Sequence, residues 1–116
     1  MNEKPAFIQG LYSYQGAGLP CAMALNPPAT YTVPADKRAQ TIYFRAGNAS
    51  AELIYLMLMR DGSPMRYFPV GAKAAIHVAL AVVEDLEPES RIEILGAAPQ
   101  GEEVAVVLDI GLMEIA

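Results

Sequence analysis

The sequence predicts an all-β domain, a jelly-roll-like antiparallel β-sandwich of about eight or nine short strands. Three observations point there. Most of the 116 residues alternate apolar and polar with period two. Gly, Pro, Asn and Asp clusters punctuate the chain at strand-length intervals. No βαβ pattern occurs, which argues against a parallel sheet.

Residues 40–46 alternate as Gln40, Ile42, Phe44 and Ala46 against Thr41, Tyr43 and Arg45, and Gly47-Asn48 supplies a turn. The run from Leu53 to Met59 is apolar on both faces, as in a strand buried on both sides or lying in an interface. Arg60-Asp61-Gly62-Ser63-Pro64 is the strongest turn signal, so residues 53–70 read as a β-hairpin. In residues 74–83, Ile76, Val78, Leu80 and Val82 alternate with Ala75, His77, Ala79 and Ala81. This reads as a strand; the runner-up is an α+β fold with a helix over 73–86, because alanine favours helix. A polar loop around Pro88 follows. Ile92 and Ile94 are expected inward, with Arg91 and Glu93 outward. Pro99-Gln100-Gly101 reads as a turn, and Val104 to Ile110 as a buried strand with Gly111 marking a bulge. The first quarter is less regular. Phe7 to Tyr14 is a strand interrupted by Gly10, and Cys21–Leu25 and Ala29–Val33 are short strands around Asn26-Pro27-Pro28.

The whole chain, 1–116, fits one domain, with no strand assigned to the polar start, residues 1–5. The composition is 53% hydrophobic and 18% charged. A typical soluble domain has roughly a quarter charged residues, so covered apolar surface is one expectation and a well-filled core the other. The net charge of −5 speaks against a nucleic-acid partner. The absence of a signal peptide or a long apolar run makes a cytoplasmic, non-membrane protein the default. The single cysteine, Cys21, reads as a buried structural thiol.

Standard catalytic and metal centres have no candidates. His77 is the only histidine and reads as structural, zinc ligand sets are missing, and no phosphate-binding glycine string occurs. No cofactor is expected. The acidic cluster Glu84, Asp85, Glu87 and Glu89 reads as a solvated loop. Asp109 interrupts an apolar run on the face opposite Val106 and Leu108, and needs an arginine partner if buried; Arg45, Arg60, Arg66 and Arg91 are available. Tyr31, Tyr43, Tyr55 and Tyr67 recur at intervals of 12, which is either chance or a tyrosine ladder on one sheet face. The candidate ligand-binding set is Tyr43, Arg45, Arg60, Arg66 and Tyr67, suited to a carboxylate, sulfate or sugar hydroxyls. Edge arginines kept for solubility are the plainer alternative.

The segment from Thr41 to Asn48, the hairpin after it, and the final Val-Val-Leu-Asp-Ile-Gly-Leu strand resemble the jelly-roll sandwiches of carbohydrate-binding modules. The likeness runs from residue 41 to the end and rests on strand cadence. It implies a sandwich fold and a sugar ligand, and transfers no binding residue.

These readings order the functions. First comes a non-enzymatic binding or assembly module, a homo-oligomer built through the apolar sheet faces around Leu53–Met59. Second is a small-ligand or carbohydrate-binding module using surface tyrosines and arginines. Last is an uncommon small enzyme with Asp109, His77 or a tyrosine as acid or base.

Overall fold

The computed structural model describes residues 3–80 and 85–116. Among the described residues nine strands follow one another: β1 (Lys4–Gln15), β2 (Met23–Thr32), β3 (Arg38–Asn48), β4 (Ile54–Arg60), β5 (Ser63–Val70), β6 (Ala75–Ala79), β7 (Asp85–Leu86), β8 (Arg91–Ala97) and β9 (Glu103–Ile115). Their hydrogen-bonded order is β5-β4-β8-β2-β1-β9-β3-β6, with β7 also on β3, and every pairing is antiparallel. The path folds over between β2 and β1, where only Ser13 and Asn26 pair. The chain thus alternates between two layers, one of β5, β4, β8 and β2, the other of β1, β9, β3, β6 and β7. This is a jelly-roll-like antiparallel sandwich. Among the described residues no helix is long and apolar enough to cross a membrane.

Period two builds the core. Val104, Val106, Leu108, Ile110 and Leu112 on β9 face Ile54, Leu56, Leu58, Ile92 and Ile94 of the other layer, all with little or no exposure. Phe44 and Phe68 stack across the interface with ring centroids 3.8 Å apart. The 53–70 hairpin forms as expected, closed by Asp61 and Gly62 at φ 48° and 83°. Positive φ at both central residues is what a tight hairpin turn demands, and Asp-Gly supplies it. The turn is docked on β8, since Asp61 Oδ1 accepts the Arg91 N–H at 2.9 Å.

Several local expectations are corrected. Ile42 does not share Phe44's face. It is the extra residue of a bulge between Thr41 and Tyr43, 41% exposed, so Ala39 and Thr41 point inward before it and Phe44 and Ala46 after it. The bulge sits on β3, opposite Gly111, rather than at Gly111 itself. Gly47 and Asn48 continue β3. The Asn48 side chain is buried and donates to the Glu52 and Gly71 carbonyls, anchoring the connection to β4. The two short strands around Asn26-Pro27-Pro28 are one strand, β2, with its register broken between Ala24 and Ala29. β1 runs through Gly10 and starts at Lys4. The helix over 73–86 is absent from the described part of that span, where β6 and β7 are strands; Ala81, Val82, Val83 and Glu84 lie outside the described residues. Cys21 is exposed, because it follows a surface turn whose Gly18 carbonyl accepts its N–H.

The two-sided apolar strand has a place for each face. Ile54, Leu56 and Leu58 fill the core. On the outward side Met57 is only 8% exposed in the single chain.

Candidate functional site

The outer face of the β1-β9-β3-β6 layer collects the chemistry. Strand register lines up residues in rows across it. Gln9 pairs with Asp109, Asp109 with Arg45, and Arg45 with His77. One row along lie Phe7, Gly111, Tyr43 and Ala79; on the other side lie Leu11, Val107, Gly47 and Ala75. All of these alternate with core residues, so period two carries them to the solvent side. A polar row is thus flanked by Phe7, Leu11 and Val107, which are 51%, 68% and 58% exposed.

Asp109 organises the row. Its Oδ1 accepts from Gln9 Nε2 at 2.9 Å and from the Tyr43 hydroxyl at 2.8 Å, and its Oδ2 from Arg45 Nη1 at 3.4 Å. The hydrogen bonds from Gln9 and Tyr43, with the charges of Arg45 and His77, hold its carboxyl below the usual carboxylate range. The same bond to Asp109 pushes the Tyr43 hydroxyl up. Tyr43 reaches the carboxylate because its ring lies over Gly111, where any side chain would be in the way. The His77 ring stands edge-on to Tyr43, centroids 6.1 Å apart. Beside this row is a depression of about 520 Å³, walled by Arg45, His77, Val107 and Asp109 and floored by Gly47 and Ala75.

Of the residues singled out in the sequence, Tyr43 and Arg45 meet here, and Arg45 is the arginine beside Asp109. His77 is exposed on this face rather than structural. The others lie elsewhere. Arg60 closes the hairpin opposite Ser63, and Arg66 opposes Leu58. Arg66 and Tyr67 border a second depression of about 580 Å³, which also touches Phe68, Ile76 and Val78. The tyrosines form no ladder. Tyr43 is on the outer face of one layer, while Tyr55 and Tyr67 are neighbours on the other, centroids 5.6 Å apart. Tyr31 points into the sandwich and donates to the Glu114 carboxylate. Gln9, Phe7, Leu11 and Val107 escaped the sequence reading. The only signal was the alternation of Phe7, Gln9 and Leu11, which says nothing of the strand they would join.

Among the described residues no group of three His, Cys, Asp or Glu side chains is placed to hold a metal ion. Among the described residues the other outward carboxylates of this layer are distant. Glu103 is six residues along β9 from Asp109, about 20 Å, and Asp85 lies beside Gln40, about 13 Å along the strands. Asp85 is itself engaged by Arg38 at 2.9 Å.

No protein-family model matches the sequence, and no curated protein does. Solved structures do. The CBM36-1 domain of a multidomain xylanase, from the hindgut metagenome of Trinervitermes trinervoides, superimposes with a TM-score of 0.59 at 12% identity, over 97% of this chain and 98% of that one. A family 35 carbohydrate binding module from Clostridium thermocellum gives 0.55 at 14% identity, over 94% and 97%. At these identities the likeness is one of fold.

Proposed function

We propose that this chain is a non-enzymatic carbohydrate-binding module that seats a sugar on the outer face of the β1-β9-β3-β6 layer. One observation carries the reading: the row Gln9, Asp109, Arg45 and His77 is bordered by exposed apolar side chains, and Asp109, Arg45, His77 and Val107 line a shallow depression beside it. A pyranose ring has the matching character, with hydroxyls at its rim and C–H groups on its face. Asp109 offers acceptor oxygens; Gln9, Arg45 and His77 offer donors. Phe7 and Val107 offer apolar contact. The network around Asp109 sets these groups in place before a ligand arrives, which lowers the ordering cost of binding. The neighbours of the same fold include a family 35 carbohydrate binding module, which agrees with this reading.

Binding is favoured over hydrolysis on geometry. Glycosidases flank the scissile bond with two carboxyl groups roughly 5–9.5 Å apart, one of them protonated. Asp109 is held as the anion, and among the described residues the other outward carboxylates of its layer lie beyond that span.

The test is a panel of soluble polysaccharides in affinity electrophoresis, followed by calorimetry on any that retard the protein. Arg45→Ala and Phe7→Ala should each weaken binding by about tenfold, and Tyr67→Ala, on the other layer, should leave it unchanged. A protein retarded by no polysaccharide would sink the proposal. Loss of binding in Tyr67→Ala alone would move the site to the opposite layer.

A further inference from the structure

We infer that the free edge of β6 pairs antiparallel with β6 of a second copy, joining two outer layers into one continuous sheet. The inference does not need the sugar reading, because it rests on the backbone edge of the layer, although the His77 side chain belongs to both.

The backbone of β6 is divided by its ladder. The Asn48 N–H donates to the Ala74 carbonyl at 2.9 Å, and the Leu80 N–H to the Ile42 carbonyl at 3.0 Å. Antiparallel pairs alternate between hydrogen-bonded and non-bonded. Ala46–Ile76 and Phe44–Val78 therefore belong to the bonded set, and Arg45–His77 to the other. The N–H and C=O groups of Ala75, His77 and Ala79 point away from β3, and among the described residues no strand pairs with them.

Exposed edges are ordinarily blunted by proline, charge or bulges. β5, at the other end of the sheet path, has all three: Pro64 and Pro69 remove donors, Arg66 adds charge, and its register shifts near Met65. β6 has no proline, no lysine, no arginine and no carboxylate. It is open where its counterpart is closed.

The residue order names the partner. Ala75-Ile76-His77-Val78-Ala79 is small, branched, His, branched, small in either direction. Turned about a two-fold axis at His77, it sets Ala75 against the partner's Ala79, His77 against the partner's His77, and Ile76 against the partner's Val78. In this register each outward-pointing residue finds a bonded partner. Such an isologous contact is the commonest way for copies of one chain to associate. Ile76 and Val78 are half-buried, packed against the core, and would be covered from the side that is now open. The row Gln9, Asp109, Arg45 and His77 would run on through the partner's His77, doubling the candidate site across the axis.

Light scattering of the protein at micromolar concentration should give twice the chain mass. His77→Pro removes an outward N–H without touching a β3 bond, and should halve that mass. His77→Lys keeps the N–H but sets like charges opposite each other, and should do the same. Cross-linking fixes the register. Residues in a bonded antiparallel pair have Cα atoms about 5.5 Å apart, within disulfide reach. In a Cys21→Ser background, which removes the exposed native thiol, His77→Cys should therefore oxidise to a covalent dimer. Ala75→Cys in the same background should not, since the two copies of residue 75 would lie about 14 Å apart. A monomeric native protein overturns the inference. So does a dimer that survives both His77→Pro and His77→Lys, or cross-linking through residue 75 instead of 77.

Discussion

Replacing Gly111 with alanine should loosen the candidate site and destabilise the fold together. In open space the change would stabilise by about 0.4–1 kcal/mol, because alanine loses less freedom on folding. Gly111 is in ordinary strand, so no special backbone angle stands in the way. Space does. A Cβ there would lie 2.1 Å from Tyr43 Cε2 and 2.7 Å from its Cδ2 and Cζ. Carbon contacts settle near 3.5 Å, so the ring must retreat by about 1.4 Å. It is held by its hydroxyl on Asp109 at 2.8 Å and by the His77 ring. Forcing it aside moves it off its rotamer, at about 0.5–1.5 kcal/mol. Overpacking of this kind costs about 1–3 kcal/mol in all. Thermal unfolding followed by circular dichroism should show Tm falling by roughly 3–8 °C for each kcal/mol. The cause is isolated by a double-mutant cycle with Tyr43→Ala: with no ring to collide, the second substitution should recover about 0.5–3 kcal/mol of coupling. A stable Gly111→Ala protein, or strict additivity with Tyr43→Ala, would mean that the Tyr43 ring does not crowd position 111.

Two further outcomes follow from the tyrosines. Tyr31→Phe leaves the Glu114 carboxylate, 8% exposed, without its hydroxyl donor. The urea midpoint should fall by an amount equal to about 1–3 kcal/mol with the slope unchanged, and an unmoved midpoint would count against the pair. At alkaline pH, burial keeps the Tyr14 hydroxyl protonated above its ordinary range, and burial together with Glu114 does the same for Tyr31. The unfolded chain gives up these protons near pH 10 and the native chain holds them. Stability should therefore be full below about pH 10 and decline as pH rises beyond it; urea titrations at pH 8, 10 and 11 that gave equal free energies would contradict this.

Where the chain keeps strict alternation, the sequence was readable. The inward set on β9, the Ile92 and Ile94 face of β8, the parity of Ile76 and Val78, and the Asp61-Gly62 turn follow from side-chain period and turn chemistry, which are local properties. The differences arise where the backbone interrupts the period. One extra residue on β3 leaves no mark in the pattern and turns Ile42 outward, while on β2 the register shifts by four residues between Ala24 and Ala29 without ending the strand at Asn26-Pro27-Pro28. The site was half legible because strand partners are not local. Asp109 stands out in an apolar run, and Tyr43 and Arg45 flank Phe44, but Gln9 and Phe7 join them only through the pairing of β1 with β9. Nothing local announces that pairing. Nor does a spacing of 12 say which layer a tyrosine will join, and so Tyr31, Tyr43, Tyr55 and Tyr67 went to three different surfaces.

The pairing of β1 with β9, from Lys4–Glu114 to Gln15–Glu103, bears on the order of events in folding. The two longest strands lie side by side, β1 at one end of the layer and β9 inside it, yet they come from opposite ends of the described chain. Closing so long a loop is slow, because its entropy is lost before its contacts form. The hairpin of β4 and β5 can form early, from neighbours in sequence. The bond from Gln9 to Asp109 cannot. It needs β1 and β9 already paired across the described chain, and the row of polar groups on the outer face is complete only when β9 also lies against β3.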